Sequence, residues 1–322
     1  GYVSSLPRAD AALAGTLCTL GSAHQAMGAH AEAYHCQQRA AAILEHGEET
    51  EGPALAACLH GLGSSSRILG RLEEARRCYQ RALELRERCL GAGHVLTAVT
   101  LNNLGAVLQK EMRYRDAVSC YTRALAIQHK TFGREHPAAA ATLCNLGAAH
   151  SQLKEHRLAI DCHSRAFAIQ EALGPESPDM ATTMHNLGNA LAAAGRGHDA
   201  ARCHWRALGI WAKTVGPAHP DVAATLHSLG NVYRGLREPE AAAQCFSGAL
   251  RIREATLGPT HAETARTRHC AALVGCSLGQ RPAAAQELQA AVDSLINSLG
   301  SRHPWSLQAR ADLESLRQVM VR

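Results

Sequence analysis

The segments MHNLGNAL, residues 184–191, and LHSLGNVY, residues 226–233, each set a histidine four residues before an asparagine: His185 with Asn189, and His227 with Asn231. Residues four apart share one face of a helix. Imidazole beside carboxamide can ligate a metal, assist a nucleophile or hydrogen-bond a ligand. The position two residues before the adjoining leucine recurs along the chain as Cys18, His60, Asn102, Cys144, His185, His227 and His269. A zinc site drawn from this column would need Cys144, His185, His227 and His269 all within about 2.0–2.3 Å of one ion. Four successive units of a helical stack do not converge on one point, so no metal is expected. A nucleophilic cysteine–histidine pair would need an orienting acid and an oxyanion-stabilising turn, and neither accompanies these residues. No catalytic residue is assigned, no cofactor is expected, and the chain reads as a non-enzyme.

The elements that must carry this column repeat. A Leu-Gly pair stands at Leu20-Gly21, Leu62-Gly63, Leu104-Gly105, Leu146-Gly147, Leu187-Gly188 and Leu229-Gly230, at intervals of 42, 42, 42, 41 and 42 residues. Thirteen residues after each leucine comes an alanine: Ala33, Ala75, Ala117, Ala159, Ala200 and Ala242, continued by Ala284. Four further on lies Gln37, Tyr79, Tyr121, His163, His204, Phe246 or Leu288, and three beyond that Ala40, Ala82, Ala124, Ala166, Ala207, Ala249 or Ala291. A fixed period of this size marks stacked supersecondary units. Small residues at fixed positions let two helices approach closely while the leucine and the ring fill the remaining space. The second helix runs on, as in LRIREATLG at 250–258, until a glycine stops it. The following loops, GREHPAAAAT, GPESPDMATT and GPAHPDVAAT, place glycine after one helix and proline at the start of the next, an asymmetry that helix termini favour. One residue fewer between Ile169 and Gly174 accounts for the single 41-residue interval.

This leucine-glycine, alanine, aromatic, alanine skeleton resembles the tetratricopeptide repeat, and the 42-residue period with its L-G-x-x-H-P loop resembles the kinesin light chain and nephrocystin-3 type. The resemblance implies an all-α, right-handed α-solenoid, elongated and curved. It places residues 1–9 as a lead-in and residues 10–322 as a single solenoid, with repeats at about 10–51, 52–93, 94–135, 136–176, 177–218, 219–260 and 261–302 and a capping helix at about 304–321. It also implies that first helices line a concave groove for short partner peptides, often mixing acidic and aromatic residues. Carried onto this sequence, the groove residues are His60, Arg67, Asn102, Asn103, Asn145, His185, Asn186, Asn189, His227, Asn231 and Arg234. The His–Asn pairs occupy positions used by the chaperone-type carboxylate clamp, with histidine where that clamp has lysine or arginine. Amides and arginines with few opposing acids suit an extended acidic peptide. An acidic ligand held by His185 or His227 would raise their pKa values, so affinity is expected to increase below neutrality.

Composition narrows the alternatives. The net charge of +5 is mild for 322 residues, and basic residues alternate with acids, unlike the blocky footprint of a nucleic-acid binder. A helical-repeat RNA code needs matched specificity residues in every unit, which the mixed column lacks. No apolar run approaches the roughly 20 residues that span a bilayer. Six cysteines, Cys36, Cys78, Cys120, Cys162, Cys203 and Cys245, each fall three residues after the second-helix alanine. They read as small apolar packing residues, expected to be reduced because equivalent positions in packed repeats lie about 8–10 Å apart, beyond disulfide reach. The expected function is a protein-interaction scaffold in the cytoplasm, associated by resemblance with cytoskeleton or cilium. Its partner is a protein or peptide, and self-association is left open. The competing functional class is a regulatory or sensing domain of a larger signalling enzyme.

Overall fold

The computed structural model describes residues 6–46, 52–174 and 176–321. Among the described residues there are fifteen α-helices and no strand. Seven pairs run α1 (Leu6–Ala26) with α2 (His30–His46), α3 (Pro53–Ile68) with α4 (Leu72–Leu90), α5 (Val95–Lys110) with α6 (Tyr114–Phe132), α7 (Pro137–Gln152) with α8 (His156–Leu173), α9 (Pro178–Ala193) with α10 (Gly197–Thr214), α11 (Pro220–Gly235) with α12 (Pro239–Leu257), and α13 (Ala262–Ser277) with α14 (Arg281–Leu299). A single helix, α15 (Pro304–Val321), follows where a terminal cap is expected. Helix α1 begins at Leu6, inside the expected lead-in, and the expected boundary at 51/52 falls at the edge of the described residues.

The chain divides into two compact units, Gly1–Ile169 and Gln170–Arg322. In the first, α2 packs on α3, α4 on α5 and α6 on α7, while the first helices touch in the order α1, α3, α5, α7. In the second, α10 packs on α11, α12 on α13 and α14 on α15, with α9, α11 and α13 in contact along their own row. Such nearest-neighbour packing is the all-α solenoid that the period implies.

The repeated side chains explain the pairing. Ala33, Ala75, Ala117, Ala159, Ala200 and Ala242, and the second alanine column from Ala40 to Ala291, are all 0% exposed. The glycine of each Leu-Gly pair from Gly63 to Gly230 lies against the ring of its own second helix, and Gly21 lies against the Gln37 side chain. A methyl group would stand 2.7 Å from Tyr121 at Gly105, 2.8 Å from His163 at Gly147, 2.7 Å from His204 at Gly188 and 2.8 Å from Phe246 at Gly230. Repeat seven has Ala272 in the glycine position and the buried, ringless Leu288 opposite it.

Helix ends follow the same period. His94, His136, His219, His261 and His303 each accept, through Nδ1, the backbone N–H two residues on, at 3.2–3.3 Å. The same cap is made whether proline follows, as at His136, His219 and His303, or not, as at His94 and His261. In the shortened repeat, Ser177 caps α9 instead. The stopping glycines depart from the left-handed geometry expected after a helix. Gly91, Gly133, Gly258 and Gly300 have φ of 87–92° with ψ of 152–171°, a region essentially restricted to glycine. That geometry lets the carbonyls of Gly91 and Gly300 accept from the N–H groups of His94 and His303, three residues on.

None of the six column cysteines is in a disulfide. Burial pushes the thiols of Cys78, Cys162 and Cys245 up to about 11 and raises those of Cys120 and Cys203. The thiolate is the reacting form, so these five should alkylate slowly at neutral pH while exposed Cys89 reacts first. Mass mapping of timed iodoacetamide labelling checks this, and rapid modification of Cys162 or Cys245 in the folded chain would contradict it. One pairing was not anticipated: Cys18 on α1 and Cys58 on α3 form a disulfide, with Cα atoms 5.7 Å apart. The distance argument against disulfides holds for equivalent positions, and these two are offset by two residues in register.

Candidate peptide-binding face

The first helices of each unit present one common row, and the column from Cys18 to His269 runs along it. Its side chains do not simply project outward. Cys18, His60, Asn102, His185, His227 and His269 of that column each reach the next repeat, at one of two offsets. At an offset of 40 residues, Cys18 joins Cys58, His185 Nδ1 lies 3.0 Å from Thr225 Oγ1, and His227 Nδ1 lies 3.2 Å from Thr267 Oγ1. At an offset of 43, the amide of Asn103 lies 3.3 Å from His60 Nε2, Asn145 Nδ2 donates to Asn102 Oδ1 at 3.3 Å, and His269 Nε2 lies 2.8 Å from Asp312 Oδ2. The column therefore straps adjacent repeats together, and packing between repeats selects these residues in part.

The receiving threonines had no place in the sequence reading, yet they repeat as well. Thr100, Thr142, Thr183 and Thr225 stand four residues before the leucine, Thr267 four before Ala271 in its place, and all are at most 1% exposed. Two buried arginines complete the polar layer. Arg86 donates to the Leu96 carbonyl at 2.7 Å, to Thr100 Oγ1 and, at 3.4 Å, to His60 Nδ1. Arg253 donates to the Glu263 carbonyl at 2.8 Å and to Thr267 Oγ1, and pairs with the Glu263 carboxylate at 3.0 Å.

This environment corrects the expected pH behaviour of the column. Burial holds His60 down at about 4, aided by Arg86, and His227 down at about 3, aided by Arg266, Arg253 and Arg234. Burial also lowers His185, against a weaker opposing pull from Asp221. These imidazoles are neutral near pH 7, because a charge there would be desolvated and, at His60 and His227, would also face arginine cations. They do not serve as cations for a carboxylate, and the expected gain of affinity below neutrality loses its basis.

The remaining expected residues differ in what they leave accessible. Asn102, Asn103 and Asn145 are half-buried in the straps of the first unit. Arg67, also in that unit, lies half-buried beside the Tyr79 hydroxyl. In the second unit Asn186 and Asn231 are half-buried, and Asn189 and Arg234 are exposed. There, α9, α11 and α13 enclose a cleft of about 530 Å³ whose polar lining comes from Asn189, His227, Ser228, Asn231 and Arg266. Ser228 and Arg266 were not anticipated. Arg266 stacks over the Trp305 ring at 4.6 Å, which gives its aliphatic stem a fixed support. On the second helices, Arg123 pairs with Glu87 and Arg165 with Asp161 at the solvent-facing edge. Among the described residues no group of histidine, cysteine and acid is arranged to hold a metal, and no helix is long and apolar enough to cross a membrane.

A model of the tetratricopeptide repeat matches residues 12–88, 55–110, 96–172 and 179–255. The chain belongs to the tetratricopeptide repeat family. Similar solved structures place it among several branches of that architecture. BtubC (BKLC) from P. vanneervenii is 24% identical, with a TM-score of 0.57 over 64% of this chain and 83% of that one. A kinesin light chain-like protein of Podosopora anserina, with nearly identical TPR-like repeats, is 24% identical with a TM-score of 0.56 over 64% and 98%. The apo form of RapI is 13% identical with a TM-score of 0.67 over 94% and 99%. At these identities the likeness concerns the fold. Among the curated proteins none matches the sequence. The tetratricopeptide assignment accounts for the Gly–ring and alanine columns, and it identifies the strapped row as the first-helix face of the repeats.

Proposed function

We propose that this tetratricopeptide chain is a non-catalytic, cytoplasmic protein-interaction scaffold whose first-helix face holds an extended, acidic segment of a partner protein. The observation that carries the reading is the second-unit cleft, where amides of Asn189 and Asn231 on adjacent first helices border one recess with Arg266 beside them. Amides at a repeat-to-repeat spacing suit an extended backbone, and exposed Arg234 adds positive charge to the same row.

The test begins with an array of random acidic decapeptides probed with the full chain, followed by calorimetry of the best binder. Asn189→Ala with Asn231→Ala should weaken binding by about 1–3 kcal/mol for each amide contact left unmatched. Arg234→Glu should weaken it further and flatten its salt dependence, since attraction between exposed charges is what salt screens. Equal binding by all of these variants, together with loss on Arg123→Glu or Arg165→Glu at the second-helix edge, would move the site off this face.

A further inference from the structure

The hydrogen bonds of the second-unit cleft determine where its protons lie. Thr225 Oγ1 donates to the Asp221 carbonyl at 2.8 Å, so it can only accept from His185. The proton of His185 is therefore on Nδ1, 3.0 Å from that oxygen, and Nε2 is a lone pair that accepts from Asn189 Nδ2 at 2.9 Å. The same logic holds one repeat on. Thr267 Oγ1 donates to the Glu263 carbonyl at 3.0 Å, and Arg253 donates to Thr267 Oγ1. Thr267 can then only accept from His227, whose proton is on Nδ1, 3.2 Å away. His227 Nε2 is left as a bare lone pair in a side chain 4% exposed, without any partner. Asn231 in turn directs its amide N–H to the His227 carbonyl at 3.2 Å, and Asn189 directs its own to His185. Each asparagine thereby keeps its carbonyl oxygen and one N–H for a ligand.

A buried acceptor without a donor is costly, because the group is removed from water and receives nothing in return. We propose that this cleft is a binding site for an uncharged amide of a partner peptide, whose N–H donates to His227 Nε2 and whose carbonyl is received by the donors of Arg266 and the two asparagines. The proposal rests on the peptide-binding reading of this face and names the chemistry its second-unit cleft selects. A carboxylate has no proton to offer His227 and would set its own lone pairs against that nitrogen. An ammonium carries the proton but enters a site bordered by Arg266, with Arg234 and Arg253 also close enough to act on His227. An amide alone brings a donor and an acceptor without charge. Acidic groups elsewhere on the same peptide remain free to meet exposed Arg234.

The test uses the full chain labelled with ¹⁵N-histidine, the His227 resonances being assigned from their loss in His227→Phe. That variant keeps an aromatic ring against Phe246, which now lies 5.5 Å from the imidazole centroid. It leaves Thr267 bonded to Glu263 and Arg253. N-methylacetamide, acetate and methylammonium serve as probes at equal concentration. N-methylacetamide should shift the Nε2 resonance saturably and the other two should leave it in place. A larger response to acetate or methylammonium, or no response to the amide, overturns the proposal. A second arm uses acetylated, amidated decapeptides with a fixed central Gln, Glu or Lys, and the Gln series with that residue N-methylated. A side-chain amide predicts roughly tenfold tighter binding for Gln than for Glu. A backbone amide predicts a similar loss on N-methylation. Either preference should vanish in His227→Phe. Peptides that bind with neither preference would sink the amide site while leaving the face as a peptide binder. An N-methylacetamide response without any peptide binding would do the reverse.

Discussion

Acidification should destabilise this protein steeply from pH 6.5 downward, starting above the usual carboxylate range. His60 and His163 are held at about 4, and His204 and His227 at about 3, chiefly by burial. His163 and His204 lie in the ring slot beneath Gly147 and Gly188, and neither ring nitrogen of His204 has a partner. In the unfolded chain each imidazole returns to about 6.5. The folded-state pKa is depressed, so between pH 6.5 and about 3–4 the unfolded state binds more protons. Stability that is fully present above pH 6.5 is therefore lost as the pH falls through that window. One such histidine contributes a slope of about 1.4 kcal/mol per pH unit, and four together approach ~5 kcal/mol per unit as an upper limit. A domain is stable by only about 5–15 kcal/mol, so the urea midpoint should fall steeply from pH 6.5 to 4.5 and the fold should be lost near the lower end. Replacing His163 and His204 with Phe, the residue already present at 246, should flatten that slope. A midpoint independent of pH over this range, or an unchanged slope in the double variant, would contradict the assignment.

The second large effect concerns the glycines beneath those rings. Gly147→Ala should destabilise the chain by about 1–3 kcal/mol through overpacking, even though alanine is favoured over glycine in a helix by about 1 kcal/mol. The added methyl would lie 2.8 Å from the His163 ring, which is buried at 1% exposure and cannot swing out into solvent without breaking the core. Repeat seven shows the compensating arrangement, Ala272 opposite Leu288. Gly147→Ala with His163→Leu should therefore recover most of the loss, giving a coupling energy well above the few tenths of a kcal/mol seen for independent sites. A double-mutant cycle from urea unfolding at pH 7.5, where His163 is neutral in both states, measures it. A stabilising Gly147→Ala, or additive single effects, would show that the ring does not set the helix spacing.

The pairing of helices was legible in the sequence because a repeat is a local unit. Leu146, Gly147, Ala159, His163 and Ala166 lie within about twenty residues of one another, and each does the same work as its counterparts in other repeats. Side-chain volume at a fixed helical spacing is enough to decide which faces meet. The positions of helix ends were legible from the glycine and proline of each loop, while the histidine cap and the glycine geometry, which act on backbone groups two to four residues away, were not.

The candidate face was legible only as a row of positions. His185 and His227 stand on it as expected, yet their role depends on Thr225 and Thr267, 40 residues further on, and on whether those hydroxyls are already donating to carbonyls of their own helix. Nothing in the local pattern of MHNLGNAL or LHSLGNVY specifies that. The offset between neighbouring first helices does, and it makes Cys18 meet Cys58 by the same rule that makes His227 meet Thr267. The sequence by itself therefore determined the architecture, the positions of helix ends and the polar row. Only the tertiary structure decided which of those polar atoms are consumed between repeats, because an imidazole's protonation and free lone pair are properties of the packed neighbour it faces.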